Sequence, residues 1–174
     1  AQAGVVRRAL ERAGLSASDI DYVETHGTGT ALGDPIELAG LAAGFDAERA
    51  PPSRPWRIGS VKSQIGHCEA AAGIAGLTRV LLQLRAGRIA PSLHADPPNG
   101  AIDWAHVPFR VVTAAEDWPA EAGRVRRAVV SSFGAGGANA HLVIEEAPQR
   151  AASSSRHDAG PVLVPLSART PASL

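Results

Sequence analysis

The sequence predicts an α/β layered fold, a mixed sheet with a buried central helix. Three observations carry that expectation. Helical periodicity and short apolar runs alternate along the chain as helix, strand, helix, strand, helix and then strands. The segment 67–86 is apolar almost all round, with Ala70, Ala71, Ala72, Gly73, Ala75 and Gly76 in its first half. Small residues let neighbouring backbone approach closely, which suits a helix at the centre of the fold. Lastly, 174 residues of which 45% are hydrophobic are one domain's worth of chain with enough apolar matter for a core.

Each element has a local reason. Residues 3–13 place Val5, Val6, Ala9, Leu10 and Ala13 on one helical face and Arg7, Arg8, Glu11 and Arg12 opposite, and Gly14 suits a left-handed C-cap. Residues 20–24 (IDYVE) read as a strand. A loop at 25–33 holds three glycines, after which Asp34-Pro35 opens a second helix carrying Ile36, Leu38, Ala39, Leu41 and Ala42. The proline-rich stretch 51–55 is a loop, and 56–61 is a strand leading into Lys62. Helix 67–86 continues with Leu77, Val80, Leu81 and Leu84 as a core stripe. Residues 87–106 read as irregular. Two more strands are expected at 109–113 and 124–132, then a glycine loop at 134–137 and a last strand at 140–145. The stretch 149–160 is a low-complexity linker, and 162–166 reads as a strand of an adjoining segment.

Composition excludes several classes. The formal net charge is +0 and the arginines are scattered, which argues against a nucleic-acid groove or an anionic membrane surface. The cluster from Arg124 to Arg127 reads as a strand edge or solvated face. With 1 Cys there is no internal disulfide, and a reducing, cytoplasmic setting is expected. No apolar run reaches about 18 residues, the length a membrane helix needs. The chain contains no methionine and stops just where Thr170-Pro171 would open a helix, so it reads as a piece of a larger polypeptide.

Chemistry concentrates around two histidines and one lysine. His26 sits in Thr25-His26-Gly27-Thr28-Gly29-Thr30, and His67 in Lys62-Ser63-Gln64-Ile65-Gly66-His67. Of the 17 basic residues only Lys62 is lysine. A chain so biased to arginine meets general needs for positive charge without lysine, so Lys62 marks a place that wants a compact ammonium. Gly27, Gly29 and Gly33 between strand and helix invite a dinucleotide-binding reading. The spacing is G-x-G-x-x-x-G, no glycine is expected on the helix's first turn, and Asp34 there would repel a pyrophosphate. The alternative places His26 at a strand end facing a cleft, with the Thr28 and Thr30 hydroxyls beside an extended ligand. His67 is expected at the start of the buried helix, where the dipole and Lys62 both favour a neutral, hydrogen-donating imidazole. A neutral donor beside a cation suits a developing enolate or oxyanion. No metal-ligand spacing occurs, and His94, His106, His141 and His157 read as structural. The third motif runs from Ser131 to His141 and includes Phe133, Gly134, Gly136, Gly137 and Asn139, a glycine loop that permits close backbone approach.

Three segments, DYVETHGTGTALGDPIEL, IGSVKSQIGHCEAAAGIAGL and SSFGAGGANAHLVIEEAP, in this order and spacing resemble the C-terminal half of a β-ketoacyl synthase. The nearest likeness is to ketosynthase domains of modular type I polyketide synthases, over residues 1–148. Residues 161–174 resemble the start of the segment that comes after such a domain. The resemblance implies a thiolase-like fold of two pseudo-symmetric halves, a parent enzyme that is a homodimer, and decarboxylative Claisen condensation. It implies an acyl chain on a cysteine and a malonyl-type unit on the phosphopantetheine arm of an acyl carrier protein, with no bound cofactor. His26 and His67 then promote decarboxylation and stabilise the enolate. Lys62 organises the second histidine through a neighbouring acid, for which Glu69 is the candidate. Thr28 and Thr30 contact the pantetheine arm, with Phe133, Gly134, Gly136, Gly137 and Asn139 in support. Two departures stand out. The family's nucleophilic cysteine belongs to the N-terminal half and Cys68 is not that residue, so the chain needs that half as a partner. Where many relatives carry a gating phenylalanine, this chain has Ala135. The alternative is a structural or docking piece of a multidomain synthase without turnover of its own.

Overall fold

The computed structural model describes residues 1–148 and Thr170. The expected linker 149–160 and segment 161–174 otherwise lie outside the described residues.

Helix α1 (Gln2–Ala13) is followed by strand β1 (Tyr22–Glu24), helix α2 (Gly33–Gly44), strand β2 (Trp56–Gly59), the single turn α3 (Lys62–Ile65) and helix α4 (Ala72–Ala86). Strands β3 (Arg88–Ile89), β4 (Phe109–Val111), β5 (Glu116–Asp117), β6 (Arg127–Phe133) and β7 (Asn139–Glu145) follow among the described residues. The main sheet has the order β4-β2-β1-β6-β7. Its first four strands run parallel, and β7 pairs antiparallel with β6. The glycine loop explains that last pairing: Gly134 N–H donates to Ala138 O at 2.7 Å and Gly137 N–H to Gly134 O at 2.9 Å, closing a tight hairpin.

Side-chain alternation splits the core between the two sheet faces. Val23, Ile58 and Val129 stand in register and pack with Val6, Leu10, Leu38 and Leu41 of α1 and α2 and with Phe45 just after α2. Phe45, Trp56 and Phe109 fill the same side, the first two rings meeting edge to face at 4.8 Å. On the opposite face, Tyr22, Ala128 and Val130 pack with Val80 and Leu84 of α4 and with Ile89 and Trp118. The result is a sheet between two layers, helix on one side and helix plus the small β3–β5 ribbon on the other.

The expected helix at 67–86 is corrected. It begins at Ala72, after a 3₁₀ turn at Glu69–Ala71. Gly66 at φ 74° and Glu69 at φ 48° are incompatible with a continuous α-helix. Nor is α4 buried all round. Gly76, Arg79, Val80 and Leu84 face the sheet, whereas Ile74 is 60% and Leu82 59% exposed. The small residues do serve close approach: a Cβ on Gly76 would stand 3.2 Å from Glu24 Cγ, and one on Gly73 3.2 Å from Ser132 Oγ. Helix α2 starts at Gly33 rather than at Asp34-Pro35, so a glycine does occupy its first turn. Residues 87–106 contain β3, a two-residue strand. Strands β1, β2, β4, β6 and β7 end within three residues of their expected limits, the usual fraying of element ends, β5 was not expected, and the strand expected at 162–166 lies outside the described residues.

Candidate functional site

Three parallel strands end side by side, and their C-terminal ends carry the candidate residues. β1 runs into Thr25 and His26, β2 into Lys62 and His67, and β6 ends on Phe133. In open α/β sheets this edge is where ligands bind, because successive loops diverge there and leave a crevice.

The structure brings His26 and His67 together. Their ring centroids lie 5.7 Å apart in an edge-on arrangement, and Phe133 packs 5.7 Å from His26 on another side. Each imidazole has its Nδ1 engaged by a backbone donor. Glu69 N–H donates to His67 Nδ1 at 3.0 Å, and Phe133 N–H to His26 Nδ1 at 3.4 Å. A backbone N–H can only donate, so each Nδ1 is an acceptor and each Nε2 carries the hydrogen. His26 is held near a pKa of about 4, first by burial and then by its neighbours Lys62 and His67, beside which a second positive charge is disfavoured. The helix-dipole argument for His67 does not apply. His67 precedes the 3₁₀ turn, and α4 begins five residues later, at Ala72. Its donor form rests instead on the Glu69 backbone.

The loop holding His26 is clamped from behind by Glu37 on α2. Glu37 Oε1 accepts His26 N–H at 2.7 Å and Oε2 accepts Gly27 N–H at 2.9 Å. Burial pushes the Glu37 carboxyl up to about 7 against the pull of those two donors. Thr25 Oγ1 donates to Gly59 O at 3.0 Å and ties the loop to β2. Thr28 and Thr30 are exposed beside it. The Thr30 hydroxyl accepts Gly33 N–H at 2.9 Å, and the Asp34 carboxylate accepts Gly29 N–H at 3.1 Å. Two backbone donors of the glycine loop are thereby occupied.

Lys62 is half-buried, and burial lowers its pKa while Glu24 and Glu37 act to raise it. The carboxylates acting on Lys62 are Glu24 and Glu37. Glu69 is exposed and enters the site through its backbone N–H. Behind the loop, a cavity of about 590 Å³ is lined by Thr25, Thr28, Glu37, Ser60, Lys62 and Ser92 among others. Gly134, Gly136 and Gly137 sit in the exposed hairpin, and Asn139 pairs with Phe133 at its base. His141 is buried, its Nδ1 within 3.1 Å of Ser131 Oγ. Cys68 lies beside His67, half-buried, with Sγ donating weakly to Gly66 O at 3.8 Å.

Glu24 and Glu37 are the residues that motif reading missed. The available signal was an acid inside each apolar element, in IDYVE and in PIEL. Among the described residues, no helix is long and apolar enough to cross a membrane.

Comparison with known proteins places these features in a family. Residues 1–96 match the beta-ketoacyl synthase C-terminal domain, and residues 98–174 the ketoacyl-synthetase C-terminal extension. The chain is 52% identical over 169 residues to erythronolide synthase EryA3 of Saccharopolyspora erythraea, covering 97% of this chain and 5% of that protein. It is 50% identical over 173 residues to polyketide synthase PksM of Bacillus subtilis, covering 97% of this chain and 4% of that protein. Among solved structures, the oxazolomycin ketosynthase domain OzmH KS7 of Streptomyces albus superposes with a TM-score of 0.78 at 46% identity, over 86% of this chain and 26% of that one. The ketosynthase from module 6 of the bacillaene synthase of Bacillus subtilis 168 gives 0.79 at 44%, over 85% of this chain and 26% of that one. The chain thus spans about a quarter of the solved ketosynthases and a small part of the curated synthases. Its sheet and helix layers are those of the thiolase-like ketosynthase fold. With a family model matching more than half its residues, the chain belongs to the beta-ketoacyl synthase family as a C-terminal domain of the ketosynthase.

Proposed function

We propose that this chain supplies the decarboxylation half of a β-ketoacyl synthase site in polyketide assembly. The observation that carries the reading is the convergence of His26 and His67, each with Nδ1 occupied and Nε2–H free. Two neighbouring imidazole donors are suited to a thioester oxygen as it gains negative charge.

In this reading a malonyl-type thioester arrives on the phosphopantetheine arm of an acyl carrier protein, alongside Thr28 and Thr30. The bond to the malonyl carboxylate breaks and CO₂ leaves. The electron pair forms an enolate whose oxygen accepts from both Nε2–H groups. The enolate carbon attacks an acyl thioester, a carbon–carbon bond forms and the cysteine thiolate departs. That cysteine belongs to the N-terminal half of the ketosynthase, and the exposed Ile74 and Leu82 side of α4 offers an apolar face for it. The parent enzyme is a cytoplasmic homodimer, residues 1–148 are the ketosynthase portion, and 149–160 links it to the adjoining segment at 161–174.

The test is condensation by the complete polypeptide, given an acyl thioester and a malonyl thioester. The reading expects a β-ketoacyl product from that polypeptide. From the isolated chain it expects neither product nor acyl loading, because the thiolate is missing. Acyl loading of the isolated chain at any residue but Cys68 contradicts it. The docking alternative draws on the same exposed α4 side and predicts no loss of condensation when His67 is replaced.

A further inference from the structure

The Lys62–His67 arm follows β2, yet the acid that holds its start lies on β1. Glu24 is 1% exposed, and three donors converge on its carboxylate. Oε1 accepts Val61 N–H at 2.6 Å, immediately before Lys62. Oε2 accepts the Tyr22 hydroxyl at 2.7 Å and Arg79 Nη1 at 2.9 Å. Arg79 also donates to the Tyr22 oxygen at 2.9 Å, so the phenol hydrogen is directed onto Glu24. All three partners donate, which fits a carboxylate rather than a carboxylic acid.

The surroundings are arranged around this group. Arg79 Nη2 donates to Ala90 O at 2.8 Å and Pro91 O at 3.1 Å, joining α4 to the stretch after β3. Gly76 leaves the room the carboxylate occupies, since a Cβ there would approach Glu24 Cγ to 3.2 Å. Glu24 lies two residues before His26, and Val61 one residue before Lys62. One buried carboxylate therefore spans the roots of both catalytic arms.

We propose that Glu24 is the positioning residue of the Lys62–His67 arm, fixing the first turn of α3 through Val61 and so the placement of Lys62. The proposal rests on the decarboxylation reading given above. Removing the Glu24 carboxylate unties β1 from α3 at its one side-chain link to Val61. It also removes the strongest negative charge acting on Lys62, ahead of Glu37 and Cys68.

The experiment measures malonyl-thioester decarboxylation against pH by the complete ketosynthase polypeptide, as wild type, Glu24→Gln, Glu24→Asp and His67→Ala. Glu24→Gln leaves one oxygen for three donors and is expected to lower kcat about tenfold to a hundredfold with little change in KM, toward the loss seen when a reacting group is misplaced. It is also expected to move the alkaline limb to lower pH, because Lys62 loses an opposing charge. Glu24→Asp keeps the charge but is too short to reach Val61. It should lose kcat with the alkaline limb unmoved, and it serves alone if Glu24→Gln does not fold. Wild-type kcat in Glu24→Asp, or wild-type kcat and limb in Glu24→Gln, overturns the proposal when His67→Ala is inactive. Full decarboxylation by His67→Ala instead overturns the reading on which it rests.

Discussion

Glu37 accepts the backbone N–H of His26 at 2.7 Å and, with its other oxygen, that of Gly27 at 2.9 Å. A buried carboxylate on α2 thus makes the helix and the histidine loop move as one body. The two N–H groups would otherwise be buried or half-buried donors without a partner, a costly condition. Replacing Glu37 with glutamine leaves one oxygen for two donors and turns an NH₂ toward the other. We expect Glu37→Gln to lower stability by about 1–3 kcal/mol, read from urea unfolding. An unchanged midpoint contradicts the clamp.

Gly27 is at φ 48°, and a Cβ there would stand 2.7 Å from both Ser60 Cβ and Thr25 Oγ1. Neither neighbour is the free end of a long side chain. Gly27→Ala is expected to cost about 1–3 kcal/mol and to displace His26 from His67. Its thermal melt and the histidine ring resonances of the two proteins would show this. Identical melts and spectra argue against a tight loop.

The buried histidines should make the fold acid-sensitive well above the carboxylate range. Burial holds His26 and His141 at about 4, below the ordinary 6.5. Between those values the unfolded chain binds protons that the folded chain refuses. Their contribution is present above pH 6.5 and is lost as pH falls through about 4. Glu37 opposes them. Held up at about 7 against an ordinary 4.5, it favours the fold below pH 4.5 and loses that effect as pH rises through 7. Glu24 and Asp34, also raised by burial, act on the side of Glu37, so the sign is read as a difference: relative to His141→Gln, the wild-type melting temperature should fall between pH 6.5 and pH 4.5. A flat or rising difference contradicts the sign.

Lys62→Ala should impair decarboxylation in the complete enzyme, and Lys62→Arg should not restore it. The ammonium is compact, the side chain is half-buried and under the charges of Glu24 and Glu37, and a planar guanidinium does not reproduce a point charge. Malonyl-thioester turnover equal to wild type in Lys62→Ala removes the lysine from the site.

Much of the fold was legible in the sequence, for reasons that differ by element. α1 announced both its face and its Gly14 cap, which is left-handed at φ 66°. The hairpin of β6 and β7 followed from β-branched runs around four near-consecutive small residues. The break between His67 and Ala72 was not legible, because a run of alanines and glycines reads as helix and only Glu69 at φ 48° betrays the turn. The open side of α4 was hidden for a related reason: apolar residues all round signal burial without saying which chain segment does the burying. β3 and β5 are two residues each, too short to show a period. In the site, motif spacing singled out His26, His67 and Lys62, and the fold sets the two histidine rings side by side. Two of the acids were not singled out. Glu69 lies nearest Lys62 in sequence, whereas Glu24 on β1 and Glu37 on α2, whose charges act on Lys62, are far from it in the chain, a relation no local pattern records.

The central claim is that His26 and His67 act as one pair of Nε2–H donors on a single developing oxyanion. Decarboxylation of a malonyl thioester by the complete enzyme tests it most directly, with His26→Ala, His67→Ala and the double variant compared. Groups that act as a unit are strongly non-additive. Each single replacement should lose most of the rate, and the double should lose little more. Wild-type turnover in either single variant, or losses in the two that multiply in the double, would contradict the account.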